Sequence, residues 1–72
     1  MTRIAAIGEQ AKLAGYALAG VELIEADKAD RVREAWEQLG DDVGLVLLTP
    51  QARRGLPDPL RRPGLLWVVL PA

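Results

Sequence analysis

The chain has 72 residues, of which 50% are apolar and 26% are charged, with a formal net charge of −1. A chain of this length forms one domain, here residues 1–72, and its apolar content argues against disorder. It contains no cysteine, histidine, serine or asparagine. Transition-metal sites and the familiar pairs of nucleophile and base need such side chains. We therefore expect a protein that is not an enzyme and that uses no cofactor or metal.

The sequence shows no signal for secretion or membrane insertion, which points to the cytoplasm. Without cysteine no disulfide can form, and Met1-Thr2-Arg3 leads directly into a short strand rather than into the apolar core of a signal peptide. No uncharged stretch approaches the roughly 20 apolar residues that cross a bilayer. We expect a cytoplasmic protein that does not insert into a membrane itself.

The first part of the chain predicts a strand, a helix and a second strand. Residues 4–7 form a continuous apolar run, typical of a strand that is buried on both faces, and Gly8 ends it. From Glu9 the apolar residues follow a helical period, and Gly20 fits the left-handed position just after a helix. Residues 21–26 alternate and predict a less buried strand near an edge of the sheet.

The second part predicts a further helix, strand, helix and strand. Helix two has Asp27 as its predicted N-cap, an apolar stripe that includes Trp36, and Gly40 at its end. A buried strand follows over residues 43–48. Thr49-Pro50 then predicts the N-cap and start of a short third helix, because threonine caps well and proline suits the first helical turn. Proline and glycine interrupt residues 51–64 before a last buried strand at 65–70.

This element order predicts a small Rossmann-like, receiver-like α/β fold of three layers. Right-handed crossovers give a four-stranded parallel sheet of order 2-1-3-4 with helices on both faces. A crevice is expected at the carboxyl ends of the first and third strands, where the strand order reverses. An exposed edge strand on a domain this small leaves a homodimer open.

The residues around that crevice do not form a known ligand motif. The glycines at 8, 15 and 20 do not make G-x-G-x-x-G, and no phosphate loop is present. A phospho-acceptor receiver domain would need an aspartate where Thr49 stands and an acidic pair where Glu9 stands alone. We interpret Thr49 as an N-cap and Glu9 as an acid in the first helical turn. Trp36 and Trp67 are interpreted as core side chains.

Positive charge gathers late in the chain. Through Leu48 five basic residues stand against nine acidic ones, whereas four arginines stand against one aspartate after it. A solvated loop accounts for this, and the functional alternative is a docking patch for an acidic protein surface. Nucleic acid is not expected, because the chain is slightly acidic and no aromatic residue lies among the arginines. The candidate partner-binding residues are Glu9, Gln10, Tyr16, Gln51, Arg53, Arg54, Arg61 and Arg62.

Four segments in chain order carry a family resemblance. Ile7-Gly8-Glu9 stands where the family usually has Ile-Gly-Asp, and residues 15–21 read Gly-Tyr-Ala-Leu-Ala-Gly-Val against Gly-Phe-Arg-Leu-Ala-Gly-Val. Residues 43–49 match a third strand and residues 67–71 a last strand that typically ends in Ile-Pro. Together they resemble the F subunit of the rotary V-type and A-type ATPases.

The resemblance implies a non-catalytic role. The F subunit is a small α/β domain on the central stalk that docks on the coiled-coil D subunit and helps couple ATP turnover to ion transport. It is peripheral to the membrane through the complex. In that family a carboxyl-terminal helix follows the last strand. In this sequence such a helix would begin at Ala72, the last residue. The alternative, from another class, is a stand-alone receiver-like module that binds proteins and has no phospho-acceptor.

Overall fold

The computed structural model describes residues 3–14 and 20–71. Strands and helices alternate along the chain, and the four strands form one sheet of order β2-β1-β3-β4 in which every neighbouring pair is parallel. The predicted topology is therefore confirmed. The elements are β1 Arg3–Gly8, α1 Gln10–Leu13, β2 Val21–Glu25, α2 Ala29–Glu37, β3 Val43–Leu48, α3 Pro50–Arg54 and β4 Leu66–Val69.

Helices α2 and α3 pack on one face of the sheet, and the side chains between them form the main core. In register across the sheet, Ile7 lies between Ile24 of β2 and Leu48 of β3. Ile7 and Leu48 are both completely buried, and Trp36 of α2 is buried against the same cluster. The predicted apolar stripe of helix two thus covers this face, and Trp36 is a core side chain as predicted.

The second face of the sheet carries apolar rows that are only partly covered. One row runs across all four strands through Leu23, Ala6, Leu47 and Val68. Ala6 and Leu13 of α1 are buried but lie outside the main core cluster, which places α1 on this face. Helices therefore lie on both sides of the sheet, as predicted.

The two ends of α2 differ from their prediction. The helix begins at Ala29 with Lys28 at the N-cap position, so the prediction of Asp27 as N-cap is wrong. The backbone carbonyl of Asp27 accepts a hydrogen bond from the side chain of Gln51, which keeps this residue in the connecting loop. Gly20 has a positive φ angle, as predicted. Helix α2 ends at Glu37 with Gln38 at the C-cap position, so the prediction that Gly40 closes this helix is wrong.

Strand β4 is more exposed than its apolar sequence predicts. Leu66 is 71% exposed and Val68 is 50% exposed, whereas Trp67 is partly buried against the main core. The prediction of a buried last strand is wrong, because β4 lies at the edge of the sheet and alternate side chains point to the second face. Only the face that carries Trp67 meets the core.

A pair of leucine variants tests how the sheet is stabilised. Leu48→Ala removes a fully buried side chain from an interior strand and should lower the free energy of unfolding by about 2–5 kcal/mol. Domains of this length have roughly 3–5 kcal/mol in total, so most of this variant should be unfolded. Leu66→Ala, in the exposed row, is the matched control and should change stability by about 0.5 kcal/mol or less. Urea denaturation followed by circular dichroism measures both, and equal losses would contradict this assignment of the core.

Candidate partner-binding site

The carboxyl ends of β1 and β3 meet through a direct contact between Gly8 and Thr49. A Cβ atom placed on Gly8 would overlap Cγ2 and Oγ1 of Thr49. Any larger residue at position 8 would therefore clash with the threonine, so glycine is what lets the two strand ends approach this closely. Thr49 itself is 1% exposed. Its side chain fills the centre of the predicted crevice.

The hydroxyl of Thr49 takes part in two hydrogen bonds. It accepts one from the backbone N–H of Ala52 at 3.2 Å, which caps the start of α3 and confirms the predicted N-cap. It also donates one to the carboxylate of Glu9 at 2.5 Å. This second bond joins residues 40 positions apart. No local sequence signal indicates it.

Glu9 lies just before α1 rather than inside its first turn. Its backbone is still extended, with φ −71° and ψ 136°, and its side chain does not cap the helix. The prediction of a first-turn acid is therefore wrong by one position, because the chain keeps the direction of β1 through residue 9. The carboxylate instead holds the end of β1 to Thr49.

A shallow crevice of about 180 Å³ lies beside the Gly8–Thr49 contact, and we call it the carboxyl-edge crevice. It brings together three of the predicted partner-binding residues, and it adds Lys12, which sequence reasoning missed. Lys12 follows Glu9 by three positions, a helical spacing that could have indicated it. The lining residues are Glu9, Lys12, Pro50, Gln51 and Arg54.

Another predicted partner-binding residue, Gln10, lies outside the carboxyl-edge crevice. Gln10 is exposed and lines a separate depression with Leu13 and Leu23 on the second face of the sheet. Tyr16 lies outside the described residues. Gln51 lines the crevice, and its side-chain amide also donates to the carbonyl of Asp27 at 3.0 Å. The start of α3 is therefore tied to the loop that precedes α2.

Two of the four arginines in the Pro-rich segment hold the loop in place. The first, Arg53, donates to the carbonyls of Leu56 and Pro57, pairs with Asp58 at 3.2 Å, and lies over the ring of Trp67 at 5.0 Å. These contacts fold the segment back onto β4 and the main core. A cation above an aromatic face adds to them by electrostatic attraction to the ring.

Arg62, the second, stabilises the end of α2 from a distance in sequence. Its guanidinium donates to the carbonyl of Trp36 at 2.6 Å and also to the carbonyl of Leu39. The last carbonyls of a helix have no partner within the helix, and a cation there also complements the negative end of the helix dipole. Arg62 therefore supplies the cap that Gly40 was predicted to supply.

Arg54 and Arg61 are different from their neighbours in sequence. Both are exposed, and within residues 3–14 and 20–71 neither forms a hydrogen bond or ion pair with another side chain. The four arginines thus divide into Arg53 and Arg62, which bind the domain's own groups, and Arg54 and Arg61, which face solvent. The docking patch stays a prediction, and its accessible charges are Arg54 and Arg61.

The opposite end of the sheet carries an ion-pair cluster around Arg3. This side chain bridges Asp42 at 2.9 Å and Glu22 at 2.5 Å, beside a cavity of about 400 Å³. The pKa of the Arg3 guanidinium is raised, because Asp42 accepts its hydrogen bond and both carboxylates add negative charge. The cluster is exposed, so it joins β1, β2 and the turn before β3 only weakly.

The described part of the chain contains no group of three acidic, histidine or cysteine side chains that could hold a metal ion. Among the same residues, no helix has the length and apolar character that spanning a bilayer requires.

The fold and this surface define the class of protein: a small parallel α/β domain with a Rossmann-like sheet and a crevice closed by a threonine. The family model of the ATP synthase (F/14-kDa) subunit matches residues 4–65. The chain therefore belongs to the ATP synthase (F/14-kDa) subunit family, as its four segments indicated. Comparison with curated proteins and with solved structures finds no significant match.

The double role of Thr49 can be tested with two variants of similar size. Thr49→Val keeps the shape but removes the hydroxyl, which leaves the Ala52 N–H and the Glu9 carboxylate without their partner. Its free energy of unfolding should fall by about 1–2 kcal/mol. Thr49→Ser keeps the hydroxyl and should retain most of that stability. Thermal unfolding at neutral pH compares them, and a fully stable valine variant would rule out a stabilising role for the two hydrogen bonds.

The division among the arginines predicts unequal effects at neighbouring positions. Arg62→Ala should destabilise the fold by about 1.5–3 kcal/mol, because a carbonyl in the last turn of α2 and one just after the helix lose a charged donor. Arg61→Ala should change stability by about 0.5 kcal/mol or less. Chemical denaturation of the two variants measures the difference. Equal effects would show that the contacts of Arg62 contribute nothing to stability.

Proposed function

We propose that this chain is a non-catalytic central-stalk component of a V-type or A-type rotary ATPase. In this role it docks on the coiled-coil D subunit and helps couple ATP turnover to ion transport. The observation that supports the proposal is the match of residues 4–65 to the ATP synthase (F/14-kDa) subunit. The protein is cytoplasmic and reaches the membrane only through the complex.

The packing at the carboxyl edge supports a docking role over a catalytic one. Open α/β sheets usually bind their ligands where the strand order reverses, outside the carboxyl ends of the strands. In this chain the Thr49 side chain packs against Gly8 at that place, and its hydroxyl is bound to Ala52 and Glu9. The remaining crevice of about 180 Å³ is smaller than typical ligand pockets of roughly 300–1,000 Å³. It suits a side chain of a partner protein.

The charges beside the crevice indicate what kind of surface it meets. Lys12, Gln51 and Arg54 are exposed along its rim. Glu9 is partly buried and bound to Thr49, and the Gln51 amide donates to the carbonyl of Asp27, so the two cations remain to face a partner. These groups contact acidic and polar side chains on the coiled coil. Charge complementarity of this kind sets orientation and the rate of association.

A pair of charge reversals tests this docking surface. Arg54→Glu should weaken binding to the D subunit from the same source by about tenfold, which corresponds to about 1.4 kcal/mol. Arg33→Glu reverses another exposed arginine, which lies on α2 and does not line the crevice, and is the matched control. Isothermal titration calorimetry gives both affinities, and the effect of Arg54→Glu should shrink at high salt.

Two results would count against the proposal. If the unmodified chain does not bind the D subunit at micromolar concentration, the stalk role is wrong. If it binds and the two reversals have equal effects, docking does not use the carboxyl-edge crevice.

A further inference from the structure

The outer edge of β4 exposes backbone groups that point away from the sheet. The N–H of Leu70 donates to the carbonyl of Leu48 at 2.7 Å, so the backbone groups of residue 70 face β3. Successive residues of a strand alternate in direction. The N–H and carbonyl of Val68 therefore also face β3, whereas those of Trp67 and Val69 face outward. They form a short row of donors and acceptors at the edge, ready to pair with another strand.

The side chains next to this row are apolar and accessible. Leu66 is 71% exposed and Val68 is 50% exposed on the second face of the sheet. They extend the rows that begin at Leu45 and Leu47 of β3. An added strand would continue these rows and remove the leucine and valine side chains from water, which is favourable.

The two edges of the sheet differ in charge. Strand β2, at one edge, carries the exposed carboxylates of Glu22 and Glu25, so two such edges would repel each other. Residues 64–72, which include β4, carry no charged side chain. Proteins commonly protect sheet edges with charges, and the β4 edge lacks that protection. A partner that is itself an uncharged, apolar strand fits it, and an identical copy of β4 meets this requirement.

We propose that two copies of this chain associate through antiparallel pairing of their β4 strands, which makes one continuous sheet. The outward backbone groups fix the register: Trp67 of each copy faces Val69 of the other, and the pair exchanges both hydrogen bonds. The two-fold axis then passes between the two Val68 residues. Pro71 has no N–H and ends the ladder.

In this register, apolar side chains of the two copies meet one another on the second face of the sheet. Val68 meets Val68 across the axis, and Leu66 of each copy lies opposite Leu70 of the other. The pairing is self-complementary, as two-fold symmetry requires, and it brings no charges together. The contact is smaller than a standard interface of roughly 1,600 Å², so we expect a weak dimer with a dissociation constant on the order of 100 μM. Binding to the D subunit at micromolar concentration is thus measured on the monomer.

Sedimentation equilibrium over concentrations up to about ten times that constant tests the association. Val68→Lys places two lysines side by side at the axis and should weaken the dimer by at least about fivefold. Leu23→Lys is the matched control, since Leu23 is 43% exposed on the same face but lies on the β2 edge. It should change the dissociation constant by no more than about twofold.

Amide hydrogen exchange on the unmodified chain provides a test that needs no variant. The outward N–H groups of Trp67 and Val69 should exchange fast in dilute solution and slow down as concentration rises, whereas that of Leu70 should be protected throughout. A chain that stays monomeric at millimolar concentration would overturn the proposal. So would a dimer that survives Val68→Lys, or one in which Trp67 and Val69 gain no protection. Protection that appears only with the D subunit would assign the edge to that partner instead.

Discussion

The close packing of Gly8 against Thr49 is the constraint on which the rest of this structure depends. Because position 8 has no side chain, the ends of β1 and β3 come together and the threonine occupies the place where open α/β sheets usually hold a ligand. The same hydroxyl starts α3 and binds Glu9, so one residue sets the course of the chain after both strands. The place where such sheets commonly hold a ligand is filled by Thr49, and the exposed groups beside it are the ones that we propose for contact with another protein.

The arginines show how a small domain stabilises a loop rich in proline and glycine. Arg62 caps α2 from a distant part of the chain, and Arg53 binds the loop carbonyls while lying over Trp67. Each adds charged hydrogen bonds where the chain has too few residues for a larger core. Their neighbours Arg54 and Arg61 remain exposed. The arginine-rich segment therefore has two roles: two of its arginines bind groups of the domain itself, and the other two give it an exposed positive charge.

The sequence predicts well whatever depends on local pattern. The order of apolar runs and helical stripes predicts the strand order. Thr49 followed by Pro50 predicts the start and cap of α3, and the prolines and glycines that follow predict that this helix is short. It does not predict the Glu9–Thr49 bond or the Arg62 cap, because their partners lie 40 and 23 or more residues away and are joined only by folding. The exposure of β4 was missed for a related reason. An apolar run has the same composition whether its second face is covered or open, and only the packing of other elements decides which.

Family membership, together with the filling of the strand ends by Thr49, supports the conclusion that this protein acts through its surface. The most direct measurement of that account is nuclear magnetic resonance of the isotope-labelled chain during titration with the D subunit. The account predicts that the largest amide shift changes occur at residues 9–12 and 51–54, around the carboxyl-edge crevice. Shift changes confined to the opposite end of the sheet around Arg3, or none at saturating concentrations of the coiled-coil partner, would contradict it.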